Sequence, residues 1–102
     1  MPKFVFVCHG GTMPETPEEG ERVMAAWGAW FQNMGDVVVD GGNPVSMSKT
    51  VTANGVEDNG GPNPISGYTL VNAEDIDAAC ELAKGCPILE HGTVEVAEAI
   101  EM

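Results

Sequence analysis

The residues of this sequence best suited to acid–base chemistry are a histidine and a glutamate on predicted strands. His9 ends an apolar run that begins at Lys3, and Gly10-Gly11 follows it. An imidazole exchanges protons near neutral pH because its ordinary pKa is about 6.5. His9 is therefore the candidate general acid or base, and Glu95 is a weaker catalytic candidate. The alternative for His9 is a structural residue that ends a strand and hydrogen-bonds a carbonyl group.

Four further residues are candidates for contacts with a small ligand. We expect the first strand to lie beside the last strand and parallel to the strand before the second helix. That arrangement would gather four side chains at one end of the sheet: His9, Asn72, His91 and Glu95. Tyr68 and Trp27 are the other ligand-binding candidates, although Trp27 is also suited to packing in the core.

Cysteine and histidine are metal-ligand types, but their spacing here does not favour a metal site. Cys8 and His9 are neighbours on a predicted strand, so their side chains face opposite sides of the sheet. The three cysteines, at positions 8, 80 and 86, form no Cys-x-x-Cys pair, which argues against a disulfide framework and for a reducing compartment. The glycine-rich stretches lack phosphate-loop spacing. We therefore expect neither a metal nor a cofactor.

The charge composition argues against nucleic acid and membrane surfaces as partners. Sixteen acidic residues stand against four lysines and arginines, giving a formal net charge of −12. The scattered cations form no basic patch, so polyanions would be repelled. A well-solvated acidic surface is the favoured interpretation, and a cationic partner or substrate is the alternative. The apolar run at residues 4–8 is too short for a signal peptide or a spanning helix, so we expect a cytoplasmic protein.

The first half of the chain has the signals of a strand, a helix and a second strand. Residues 3–9 are apolar on both faces, which is typical of a buried strand. Thr16, Pro17 and Glu19 carry three helix-start signals at once: a cap, a first-turn proline and a capping box. The helix then presents one apolar stripe: Val23, Trp27, Trp30, Phe31 and Met34. Gly35 is suited to the helix end, and a strand at residues 37–39 follows.

The second half of the chain repeats this pattern after a hairpin. Asn54-Gly55 is a favoured filling of a two-residue hairpin turn. Asn72 is the predicted cap of the second helix, with Asp75 in its acidic first turn. The predicted elements are a hairpin within residues 49–57, a strand at 67–71, a helix at 75–84 and a strand at 93–96.

This order predicts one α+β domain, residues 1–102, with the ferredoxin-like β-α-β-β-α-β arrangement and an inserted hairpin. Two short helices can cover only one face of the sheet. Several strands are nevertheless apolar on both faces, as in residues 3–9 and 37–39. An exposed apolar face of that size is unusual for a monomer, so the sequence predicts a face-to-face homodimer.

Nearly the whole chain resembles the YCII-related domain family. The resemblance is carried by GYTLVNA at residues 67–73, the helix at 75–84, Gly85-Cys86-Pro87 and GTVEV at 92–96. The stretch AWGAW at residues 26–30, continuing through Gly35, and DGGNP at 40–44 fit the same pattern upstream. The resemblance implies a ferredoxin-like fold that dimerises as an α/β barrel. It also implies that some relatives act on small, often halogenated, aromatic compounds.

A His–Asp pair has been proposed as catalytic in some members of that family, but this sequence departs from the pattern. No histidine lies between Thr16 and Gly35, and Cys86 occupies the family's acidic position before the proline. Two functions are consistent with these residues. The first is an uncharacterised small-molecule-binding protein, lyase- or isomerase-like, with His9 as general acid or base. The second is a non-catalytic homodimeric binding or accessory module.

Overall fold

Six strands and two α-helices make up the α+β fold of residues 1–102 in this computed structural model. The strands are β1 (Lys3–Gly10), β2 (Val38–Asp40), β3 (Thr50–Thr52), β4 (Gly55–Glu57), β5 (Ile65–Asn72) and β6 (Gly92–Ala99). The α-helices are α1 (Pro17–Met34) and α2 (Ile76–Ala83), and short 3-10 helices cover Gly35–Val37 and Pro87–Glu90. Neither α-helix combines the length and apolar character needed to cross a membrane.

The main sheet is antiparallel throughout, with strand order β2-β5-β1-β6. The expectation that β1 runs parallel to the strand before α2 is therefore wrong. Lys3 pairs with Asn72 and His9 pairs with Ile65, so the two strands run in opposite directions. The reason is topological: α1 returns the chain so that β2 runs parallel to β1, and β5 lies between them, antiparallel to both.

The start and end of α1 follow the predicted capping signals. The Thr16 hydroxyl accepts a hydrogen bond from the Glu19 backbone N–H at 3.1 Å, and Pro17 occupies the first turn. The Glu19 carboxylate accepts the Glu15 N–H at 3.2 Å, one residue earlier than a capping box requires. Gly35 ends the helix with a φ of +59°, which a residue without a Cβ adopts at little cost.

The hydrophobic core lies between the two helices and one face of the sheet. Its members are Phe4, Phe6, Cys8, Trp30, Met34, Val71, Ala73, Ala79, Ala83 and Cys86. Phe6 stacks on Trp30 with ring centroids 6.1 Å apart, and the Trp30 indole N–H donates to the Leu82 carbonyl at 2.9 Å. Burial of a side chain such as Phe6 contributes roughly 1.5–3 kcal/mol. Trp30 therefore ties α1 to both the sheet and α2.

Two local predictions in the second half of the chain are wrong. Thr52 pairs with Gly55, so Ala53 and Asn54 form the hairpin turn and Gly55 begins β4. Asp75, not Asn72, caps α2, and its carboxylate accepts the Ala78 N–H at 2.8 Å. Asn72 is the last residue of β5, because strand pairing with Lys3 continues to that position. An aspartate three residues later then satisfies the exposed N–H groups of the helix.

The second face of the main sheet has no layer of structure over it. Along β1, Phe4, Phe6 and Cys8 are buried beneath the helices, whereas Val5 and Val7 are only half-buried. Strand β5 alternates in the same way, with Tyr68 and Leu70 half-buried on this open face. The Cα atoms span 43 × 43 × 18 Å, and the thin dimension corresponds to one helix layer on one sheet.

Candidate functional site

His9 and Glu95 form a hydrogen-bonded pair on the open face of the sheet. His9 Nε2 lies 3.1 Å from Glu95 Oε1, and the His9 side chain is 13% exposed against 67% for Glu95. The pair forms because β1 and β6 are neighbours and the two residues lie on the same face, two pairing positions apart. The structure therefore brings together the two catalytic candidates that the sequence indicated.

The other ring nitrogen of His9 also faces hydrogen-bond acceptors. Nδ1 lies 3.0 Å from the Asn63 carbonyl oxygen and 3.3 Å from that of Pro64, in the loop before β5. A carbonyl and a carboxylate can only accept, so both ring nitrogens donate when the imidazole is protonated. The Glu95 hydrogen bond, assisted by those two carbonyl groups, raises the pKa of His9 above its ordinary value. This geometry favours a proton donor over a free general base.

The Glu95→Gln variant tests this electrostatic arrangement. We expect the pKa of His9 to fall in the variant, because the amide provides neither the charge nor the strong acceptor. The folded pKa is raised above 6.5, so the stabilising effect of the pair is complete below about pH 6.5 and is lost as the pH rises through the folded value. NMR titration of the His9 ring protons measures the change. Glu90→Gln is the control and should leave His9 unmoved; an unchanged midpoint in Glu95→Gln would contradict the assignment.

Asn72 and His91 do not join this pair. Asn72 is opposite Lys3, at the other end of the sheet from His9, because β5 is antiparallel to β1. His91 follows the second 3-10 helix, where its carbonyl accepts the Gly11 N–H at 3.2 Å. The His91 side chain is half exposed and lines a small cavity beside α1. The expected group of four residues therefore reduces to His9 and Glu95.

A larger cleft lies on the helix-covered side of the sheet, between α1 and the segment that follows β2. Its volume is about 420 Å³. Its walls contain no charged side chain, and they comprise Cys8, Met24, Trp27, Phe31, Gly41, Gly42, Asn43, Pro44, Gly67, Tyr68, Thr69 and Ile88. Tyr68 borders this cleft through its backbone, because its side chain lies opposite Val7 on the open face. Trp27, the other predicted ligand-binding residue, lines the cleft with its side chain. His9 does not, because its side chain points to the opposite face from that of Cys8.

The wall opposite α1 depends on a close approach of two backbone segments. Gly42 has a φ of +72°, and a Cβ at this position would lie 1.7 Å from the Tyr68 carbonyl oxygen. The segment then pairs with β5, since the Tyr68 N–H donates to the Asn43 carbonyl at 3.3 Å and Pro44 bridges to Gly67. The Asn43 amide donates to the Tyr68 hydroxyl at 3.3 Å. Only glycine permits this approach, so Gly42 shapes the cleft.

On the opposite wall, the aromatic residues of α1 both pack on the core and face the cleft. Trp27 meets Trp30 edge to face, with centroids 5.5 Å apart, and lies 6.2 Å from Phe31. Trp27 is only half-buried, in contrast to Trp30. Both interpretations of Trp27 from the sequence therefore apply, because the residue packs against the core and also lines the cleft. Phe31, Met24 and Asn43 are cleft residues that the sequence did not single out as ligand contacts.

Two buried thiols lie beside the cleft. Cys86 donates a hydrogen bond to the sulfur of Cys8, which lowers the pKa of the Cys8 thiol and raises that of Cys86. Burial adds to the rise at Cys86, as expected for a thiol removed from water. All three cysteines are free, and Cys80 is only partly buried. Cys8 and Cys86 therefore act mainly as small apolar groups of the core.

No family model matches the sequence, and no curated protein matches it.

Proposed function

We propose that this protein is a homodimeric small-molecule-binding protein whose ligand occupies the cleft between α1 and the sheet. The observation that supports this most is the cleft itself: about 420 Å³, with aromatic and sulfur-containing side chains on its walls. Small-molecule sites are concave and mostly apolar, with a few polar groups that orient the ligand. The Thr69 hydroxyl, which donates to the Gly41 carbonyl at 3.1 Å, supplies such a group. The ligand class that fits is a small aromatic compound.

The proposal includes a YCII-related, ferredoxin-like domain that dimerises as an α/β barrel. The strand order β2-β5-β1-β6, with both helices on one face, supports the ferredoxin-like part. The half-buried Val5, Val7 and Leu70 on the open face support the dimer, because such a patch is stabilised by removal from water. The three eight-residue strands, each about 27 Å long, form a face on the order of 400 Å² per partner, which is smaller than the roughly 800 Å² of a standard interface.

Ligand binding in the cleft is tested by a thermal-shift screen of small aromatic compounds, with phenol, indole and benzyl alcohol as first probes. A ligand at a hundred times its dissociation constant stabilises by about 2.7 kcal/mol, which moves the melting midpoint of a domain this size by roughly 10 °C or more. Met24→Ala removes a thioether from the cleft wall. We expect it to weaken binding about five- to tenfold through lost apolar contact, measured by titration of the tryptophan fluorescence.

Met13→Ala provides the matched control. Met13 and Met24 are 84% and 77% exposed, but only Met24 lines the cleft. Met13→Ala should bind the same probes with wild-type affinity. Equal weakening in both variants would place the ligand elsewhere, and a screen without any shift would remove the support for a binding function.

Acid catalysis by His9 is the second candidate function. The observation that favours it is the His9–Glu95 hydrogen bond, which raises the pKa of the imidazole above its ordinary value and so favours its proton-donating form. In a face-to-face dimer this proton donor would face the interior of the barrel. NMR spectra of compounds incubated with the wild type and with His9→Gln distinguish the two functions: conversion by the wild type alone supports catalysis, whereas unchanged compounds leave a binding protein.

A further inference from the structure

The cleft has the walls of a site for an organic cation. Two aromatic rings of α1, those of Trp27 and Phe31, line it, with centroids 6.2 Å apart. The face of an aromatic ring carries negative electrostatic potential and attracts ammonium groups, most strongly when the cation is desolvated. A cleft with aromatic walls and no charged side chain therefore favours a cation without a direct ion pair.

The charges around the cleft also favour a cation. A small cavity adjoins the cleft, sharing Trp27 and Ile88 with it, and its charged lining residues include Glu19, Arg22 and Glu90. Arg22 lies 3.8 Å from Glu90, so its charge is largely offset and Glu19 remains. On the other side, the Asp40 carboxylate accepts the N–H of Gly42, a residue of the cleft wall, at 2.8 Å.

The charge of the whole chain adds to this local field. With a formal net charge of −12, the surface concentrates small cations and repels small anions. Three carboxylates, of Glu19, Asp40 and Glu90, and the one guanidinium of Arg22 leave the immediate surroundings of the cleft negative. The cleft walls contain no cationic side chain that could bind an aromatic acid or a phosphorylated ligand.

We propose that the cleft selects small organic cations, such as aromatic or quaternary amines, over neutral molecules of the same shape and over anions. This inference rests on the proposed binding function, whose ligand class it narrows. Aromatic walls supply attraction at short range, and the carboxylates of Glu19 and Asp40 supply it at longer range. Leaving water costs the cation free energy, and the aromatic rings and the nearby carboxylates offset part of that cost.

The test compares three soluble probes of similar size: benzylamine, benzyl alcohol and benzoate. We expect benzylamine to bind at least about tenfold more tightly than benzyl alcohol, and benzoate to bind most weakly. The advantage of the amine should shrink in 1 M NaCl, where the Debye length falls to about 3 Å. Isothermal titration calorimetry gives the affinities, and amide chemical-shift changes at Gly41 and Gly42 report whether the probe is in the cleft.

Two variants separate the sources of the preference. Glu19→Gln keeps an acceptor for the Glu15 N–H but removes a charge, so it should weaken benzylamine binding and leave benzyl alcohol unchanged. Trp27→Leu keeps an apolar wall but removes a ring, so it should lower the ratio of the two affinities. Glu81→Gln is the control for charge, because Glu81 pairs with Lys84 on α2 and lines no cavity.

Each negative result has a distinct meaning. If benzyl alcohol binds as tightly as benzylamine, or more tightly, the selection of cations is overturned while the cleft remains a binding site. If neither variant changes the ratio, the preference arises outside the cleft and the inference is overturned as well. If none of the three probes binds at millimolar concentration, the proposed binding function itself is overturned.

Discussion

Replacing Gly42 with alanine is expected to destabilise the protein by about 3 kcal/mol or more, because strain and a backbone clash act together. The φ of +72° is costly for a residue with a Cβ, and that Cβ would lie 1.7 Å from the Tyr68 carbonyl oxygen. The segment after β2 must then leave β5 and open the cleft. Thermal unfolding monitored by circular dichroism should show a midpoint about 12 °C lower, or lower still.

Gly35→Ala separates the two contributions. Gly35 also has a positive φ, +59°, but a Cβ there would meet no atom within 4 Å. This variant should therefore lose only about 1–2 kcal/mol, the cost of the left-handed conformation. Equal losses at the two positions would mean that the close approach of Gly42 to Tyr68 contributes nothing to stability.

Replacing Leu70 with glutamate is expected to abolish the proposed dimer at micromolar concentration. Leu70 lies on the open face, opposite Val5, so a dimer built from two such faces would bury two unpaired carboxylates. Each uncompensated buried charge costs about 3–5 kcal/mol, so even one of the two would raise the dissociation constant by about two to four orders of magnitude. Light scattering coupled to size-exclusion chromatography measures the mass directly, and the monomer should keep its far-UV circular dichroism spectrum.

Val51→Glu makes the same change in charge on a different surface. Val51 is 76% exposed on the β3–β4 hairpin, which forms a sheet separate from the one that carries Leu70. The Val51→Glu variant should have the same molecular mass in solution as the wild type. A wild-type protein that is monomeric at micromolar concentration would overturn the dimer, and a dimeric Leu70→Glu variant would move the interface to another surface.

The His9–Glu95 pair could be foreseen from the sequence because it depends on few assumptions. Once β1 and β6 are neighbours, alternation of side chains places both residues on one face. The position of Asn72 depends on the direction of β5, and an apolar pattern with a period of two residues is the same in either direction. The carbonyl groups of Asn63 and Pro64, which face His9 Nδ1, belong to a loop. The residue types of that loop do not predict the path of its backbone.

Around α1, contacts between residues close in sequence could be predicted, as at the start of the helix, whereas contacts between distant residues could not. Thr16 and Pro17 predict the start of α1, and the structure confirms this start. The prediction succeeds because capping is a contact between residues close in sequence. The cleft was not foreseen. The stretch Asp40-Gly41-Gly42-Asn43 indicates a loop, but the approach of Gly42 to Tyr68 joins residues 26 positions apart. Contacts of this kind are decided by the packing of whole elements.

The pairing of β1 with β6 has a consequence for how the chain folds. Lys3 pairs with Ala99, so the centre of the sheet joins the first strand to the last. Such pairing closes a long loop, and proteins dominated by contacts distant in sequence fold slowly. During synthesis, one edge of β1 therefore stays unpaired until β6 has left the ribosome. We infer that the native sheet is completed only after β6 has emerged, and that the unpaired edge of β1 needs protection from aggregation until then.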